Sequence, residues 1–408
     1  MNALPKVDML EATRLIREGR LDAAMAVLRG PRPSAPSSSG PSKFEAGARA
    51  GAAKLMRQST LDMVPPSAGG AWTSPQSDEL QFGVPSGVRQ RQIPEKSSGF
   101  LDLARQLGSP RVLHGLVRAP IPLPDGAQFE ERAYANDAGS RTYKLYVPSG
   151  YDNRAVPLVV MLHGCTQSPD DFALGTRMNE LAEEQTFLVA YPAQSRSANV
   201  SKCWNWFNEG HQQRNQGEPS LIAGITREII SNFAVQSGRV FVAGLSAGGA
   251  AAAIMGASYP DLFAAVGVHS GLACGAAMNT PSAFAAMRQG GATDRLTGRG
   301  TKNPVPTIVF HGDRDMTVNA VNGDQVIAQS KAAADLRTTV SRGEAPDGSG
   351  YTRCVHTDDS GRTILEQWVL HGAGHAWSGG SSSGSYTDPR GPNASREMVR
   401  FFLQSQGA

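Results

Sequence analysis

The chain has 408 residues, 40% of them apolar and 18% charged, with 45 Gly and 26 Pro. That exceeds one ordinary domain of about 100–200 residues and leaves room for a large core plus an extension. A net charge of +3, from 39 basic and 36 acidic residues, excludes the strong basic field of a nucleic-acid binder, and no apolar run nears the ~18 residues of an integral membrane segment.

The first residues, Met1 to Asp8, meet charge at once and build no secretory stretch, which makes the cytoplasm the default compartment. Residues 1–30 read as an N-terminal helical segment, because Met9, Ala12, Ile16, Leu21, Met25 and Leu28 recur at helical spacing around Gly19. Residues 31–125 are dominated by Gly, Pro, Ser and Gln. They read as a low-complexity linker, largely irregular, with one short helical candidate at 100–107.

Residues 126–408 change character, as β-rich runs now alternate with helical patterns. Strands are predicted at 143–147, 158–162, 187–191, 240–243, 264–269, 307–310 and 364–370, and helices at 171–184, 221–233, 250–258 and 395–405. Continuous apolar strands separated by helices predict an α/β domain, a mostly parallel sheet with helices on both faces. Ligands of such sheets sit at the carboxyl ends of the strands, so chemistry is sought in the loops that follow them.

Gly244-Leu245-Ser246-Ala247-Gly248 fits the G-x-S-x-G pattern of a nucleophile on a sharp strand-to-helix turn. So does Gly380-Ser381-Ser382-Ser383-Gly384. Context separates the two. Ser246 follows a β-rich run and precedes the small residues Gly249 to Ala253, whereas Ser382 sits in a Ser/Gly loop. A tight strand–turn–helix tolerates only small neighbours, so Ser246 is the candidate nucleophile.

A serine hydroxyl needs a base to take its proton and an acid to orient that base. His375 lies among glycines directly after the run ending at Leu370, and is the candidate base. Asp313 and Asp315 both follow the 307–310 run; Asp313, beside Gly312, also suits a turn. The oxyanion of the intermediate needs two backbone N–H donors. Ala247 supplies one, and the turn after His163-Gly164 the other, from Cys165 or else Thr166. His163 itself either faces substrate or props this loop.

Trp204, Asn205, Trp206 and Phe207 either line an acyl or aryl cleft or pack as a lid, and Trp377 is either a cleft wall or a clamp on the histidine loop. Four cysteines without a CxxC pair read as free thiols in a reducing compartment. Neither a metal-ligand spacing nor a phosphate-cradling loop is present, so no metal or cofactor is expected.

Together, His163-Gly164-Cys165-Thr166-Gln167, Cys203-Trp204-Asn205-Trp206-Phe207, Gly244 to Gly249, His311-Gly312-Asp313-Arg314-Asp315 and Gly374-His375-Ala376-Trp377 resemble the poly(3-hydroxybutyrate) depolymerase-type esterases. That is an α/β-hydrolase family similar to feruloyl and acetylxylan esterases, and the resemblance spans residues 129–403. It implies Ser246, Asp315 and His375 as nucleophile, acid and base, with Cys165 and Ala247 as the oxyanion hole. It also implies a disulfide between Cys165 and Cys203. From the residues themselves, Trp204, Trp206, Trp377 and His163 are the expected substrate-facing side chains. The expected function is a serine carboxylic-ester hydrolase acting on poly(3-hydroxybutyrate) or its oligomers. The alternatives are a feruloyl or acetyl carbohydrate esterase and, in another class, an adaptor that docks on a polymer granule surface through residues 9–29.

Overall fold

In the computed structural model, which describes residues 123–292, 305–331 and 336–405, the apolar runs lie side by side in one ten-stranded sheet. Its strands are β1 (Gln128–Asn136), β2 (Gly139–Val147), β3 (Val156–Leu162), β4 (Leu188–Pro192), β5 (Val235–Leu245), β6 (Ala265–His269), β7 (Thr307–Gly312), β8 (Arg337–Glu344), β9 (Gly350–Thr357) and β10 (Thr363–Leu370). Their order is β1-β2-β4-β3-β5-β6-β7-β10-β9-β8. The run from β4 to β10 is parallel throughout, and antiparallel pairs close both edges. All seven predicted strands fall in this sheet.

Strand β3 shows why the centre is continuous in hydrophobicity. Leu158, Val160 and Leu162 enter the core on one face, and Val159 and Met161 enter the core on the other. Each such side chain contributes about 1.5–3 kcal/mol on burial, and both faces must therefore be covered. Helices α3 (Gly217–Asn232), α4 (Ala247–Ser258), α5 (Thr280–Gln289) and α6 (Val321–Lys331) pack on the first face. Helices α1 (Pro169–Thr176), α2 (Met178–Gln185) and α7 (Ala394–Gln404) pack on the second.

Three differences from the sequence reading have physical causes. The helix expected over 171–184 is two helices, because Arg177 takes a left-handed conformation at φ 55° and ends α1. Edge strands β1 and β8 were missed, since they are largely exposed and carry the polar residues that edges favour. Helix α5 was missed because its face is only partly apolar; it is held instead by the Asn279–Ser282 capping box. The expected segments 1–30 and 100–107 lie outside the described residues. Among the described residues no helix is long and apolar enough to cross a membrane.

Candidate active site

Four neighbouring parallel strands, β5, β6, β7 and β10, end on the same side of the sheet, and their ends carry Ser246, His269, Asp315 and His375 in turn. Ser246 links β5 to α4 at φ 58°, ψ −118°, a conformation costly for a residue with a side chain. The turn survives because nothing larger than glycine fits around it. A Cβ on Gly248 would lie 2.0 Å from the Leu162 carbonyl oxygen, and one on Gly244 would lie 2.3 Å from Gly248. The Ser246 N–H donates to the His269 carbonyl at 2.9 Å. The second serine candidate, Ser382, is exposed in a turn, with only the two-residue strand Trp377–Ser378 before it and no helix directly after it.

The two aspartates divide clearly. His375 Nδ1 donates to Asp315 Oδ2 at 2.6 Å, leaving Nε2 for a serine proton. The other carboxylate oxygen of Asp315 accepts the Thr317 and Val318 N–H groups, each at 2.8 Å. Burial would raise the Asp315 pKa, but hydrogen bonds from His311, His375 and Val318 outweigh it and hold the carboxyl well below the usual carboxylate range. Asp313 instead accepts from His371 Nδ1 at 3.0 Å and from the Gly372 N–H at 2.7 Å. It caps the start of the histidine loop from an exposed position.

Facing Ser246 is the loop after β3. A Cβ on Gly164 would stand 3.7 Å from Ser246 Cβ, so the two turns are in contact. The Thr166 N–H is already bound to the Ser201 carbonyl at 2.7 Å. Of the two candidates for the second oxyanion donor, this leaves Cys165. Cys165 is joined to Cys203 by a disulfide, as the resemblance implied, so the free-thiol reading does not hold for these two cysteines. Cys274 and Cys354 form no disulfide among the described residues.

The expected substrate-facing residues require correction. Trp204 and Trp377 are fully buried, Trp206 is buried, and so is His163. Trp204 Nε1 donates to the His163 carbonyl at 3.1 Å, tying the Trp-rich segment under the oxyanion loop. His163 donates from Nδ1 to the Gly164 carbonyl and accepts the Gln194 N–H at Nε2, 3.1 Å away. Burial pushes its pKa down to about 4, so it stays a neutral prop. Trp377 anchors the histidine loop through Nε1 to Ser395 Oγ at 3.0 Å and stands edge-on to Phe172. Trp204 and Trp377 thus brace the loops rather than wall the cleft.

Two supporting residues gave no distinct signal in sequence. Glu218, at the start of α3, is buried and accepts from Arg141, Gln194 and both nitrogens of Asn205. Gln167 accepts the Gly164 N–H at 2.8 Å and donates to Asp171 and to the Ser385 carbonyl. Gln167 lies inside the quoted oxyanion motif, which could have marked it; Glu218 is recognisable only once the fold brings its partners together. Among the described residues no group of three or more His, Cys, Asp or Glu is placed to hold a metal ion.

Comparison with known proteins adds the family. The family described as Esterase PHB depolymerase matches residues 141–344, half of the chain. The chain belongs to that family. It is 32% identical over 255 residues to poly(3-hydroxyalkanoate) depolymerase C of Paucimonas lemoignei, covering 59% of this chain and 60% of that protein. It is 28% identical over 272 residues to an acetylxylan esterase of Coprinopsis cinerea, covering 63% of this chain and 71% of that protein. Among solved structures, acetyl xylan esterase from Aspergillus awamori superposes with a TM-score of 0.53 at 20% identity, covering 68% of this chain and 100% of the other. That likeness shows the fold, an α/β-hydrolase. The chain spans about three fifths of the length of the depolymerase it matches.

Proposed function

We propose that the protein is a serine carboxylic-ester hydrolase whose preferred substrate is a short-chain poly(3-hydroxyalkanoate), such as poly(3-hydroxybutyrate), or its oligomers. The observation that carries this reading is the Asp315–His375 pair at 2.6 Å, set at the strand ends that also carry the strained Ser246 turn. In this mechanism His375 Nε2 takes the Ser246 proton as Oγ attacks the ester carbonyl. The oxyanion forms against the Cys165 and Ala247 N–H groups. Collapse expels the alcohol, which receives the proton from His375, and leaves an acyl-enzyme. Water, deprotonated by the same imidazole, releases the acid and restores Ser246. Ionised Asp315 keeps the imidazole proton on Nδ1 and balances the imidazolium charge.

The substrate follows from the depolymerase named among the relatives. The acetylxylan esterase match supports a second reading, removal of acyl groups from carbohydrate. Both use the same triad, so substrate assays decide between them. The test is release of 3-hydroxybutyrate from amorphous polymer granules, beside cleavage of p-nitrophenyl butyrate and of acetylated xylan, each with Ser246→Ala protein as control. Polymer release that falls by about 10⁴-fold or more in the variant supports the first reading. Activity on acetylated xylan alone moves the substrate to carbohydrate esters. Turnover that persists in Ser246→Ala overturns the mechanism.

A further inference from the structure

We infer that His269, through its ring, is a positioning residue that sets the catalytic histidine loop against the nucleophile turn. The inference rests on the hydrolase reading above and adds a residue that acts through others, without touching substrate.

His269 ends β6, between the strands that carry Ser246 and Asp315, and is fully buried. Its backbone carbonyl takes the Ser246 N–H at 2.9 Å. Its ring reaches the other way: Nε2 lies 3.0 Å from the Ser378 backbone nitrogen, three residues past His375. A backbone N–H only donates, so Nε2 is the unprotonated nitrogen, and the Nδ1 proton points at Ser270 Oγ, 3.2 Å away. The ring is stacked between Phe310 of β7 at 5.8 Å and Trp377 at 5.0 Å. Phe310 precedes the acid loop and Trp377 follows His375 by two residues. One side chain therefore touches the segments that carry the acid and the base, while its own carbonyl holds the nucleophile.

A core position of this kind is ordinarily filled by an apolar residue, since a buried imidazole loses hydration. Burial, together with the nearby His311 and His375, pushes the His269 pKa down to about 3, so the acceptor nitrogen stays free across the working range. What histidine supplies that Phe or Leu lacks is an acceptor for the Ser378 N–H, in a ring flat enough to enter the stack. Ser378 is fixed on its other side by its hydroxyl, which donates to the Pro392 carbonyl at 2.7 Å. The ring of His269 is the inner half of that clamp.

The test compares His269→Gln with His269→Met. The two replacements have similar length and volume, and only Gln offers a strong acceptor, the Met sulfur being a weak one. Turnover of p-nitrophenyl butyrate is measured with urea unfolding alongside and Ser246→Ala as control. We expect kcat of the Gln variant to exceed that of the Met variant by about tenfold or more, with KM unchanged, because an unpaired buried N–H lets the loop shift. Equal kcat in the two variants, with Ser246→Ala inactive, overturns the positioning role and leaves the hydrolase reading intact. Activity in Ser246→Ala overturns the hydrolase reading instead. If neither replacement folds, hydrogen exchange of the Ser378 amide in the wild-type protein carries the test: protection is expected, and free exchange overturns the inference.

Discussion

Asp313 and Asp315 stand two residues apart in one loop, yet only Asp315 holds His375; Asp313 holds the turn in front of it. Asp315→Asn should lower kcat by about 10³–10⁴-fold, because the amide no longer fixes the imidazole tautomer or balances its charge. Asp313→Asn should keep most of the activity. Steady-state kinetics on a soluble ester decides, and the reverse pattern sinks the assignment. The depressed Asp315 pKa also fixes a sign. Its folded value lies below the unfolded one, so the stability it lends is complete above the unfolded value of about 3.9 and is lost as pH falls through the folded value. Motif context singled out Ser246, His375 and Asp315 in sequence, and the fold sets all three at neighbouring strand ends. The role of His269 was not readable there, because it depends on Phe310 and Trp377, which only the fold brings to its two faces.

Among elements, the loop after β3 is braced in four ways. It is tied by the Cys165–Cys203 disulfide, the Thr166–Ser201 hydrogen bond, the His163 ring and Gln167. The bridge closes a loop across 38 positions, for which chain entropy gives about 4 kcal/mol of stabilisation. Cys203→Ser should therefore lower unfolding free energy in urea by about 2–4 kcal/mol. The same change should reduce kcat more than it raises KM, since it frees the Cys165 N–H that the proposed mechanism sets against the transition state. A kcat equal to wild type would show that the hydrogen bonds alone fix Cys165. The nucleophile turn gives a second expectation. Gly248→Ala places a methyl 2.0 Å from the Leu162 carbonyl oxygen and 2.6 Å from that of His163, so soluble folded protein should be lost or the activity abolished. Elements that bury both faces were readable as apolar runs. The break at Arg177 was not, because an arginine gives no sign in sequence of the left-handed backbone that it takes there.

At the scale of the whole molecule, two buried histidines couple the fold to pH. Burial holds His163 at about 4 and His269 at about 3, and both are acceptors of backbone N–H groups that a second proton would repel. Each returns to about 6.5 on unfolding, so between these values the unfolded chain binds more protons than the folded one. Stability is then fully present above about pH 6.5 and falls on acidification, by about 1.4 kcal/mol per pH unit for each group once its unfolded form is protonated. His356 is shifted in the same direction by burial. Asp315 adds little to this slope above pH 4.5, since its own loss begins only as the unfolded carboxyl protonates near its ordinary value of about 3.9. Urea unfolding from pH 7.5 to 4.5 should show the decline. His163→Gln, whose side-chain oxygen can still accept the Gln194 N–H, should flatten the slope while leaving stability near pH 7 close to wild type. An unchanged slope in that variant would mean that His163 is protonated in the folded protein, and the neutral prop under the oxyanion loop would have to be given up.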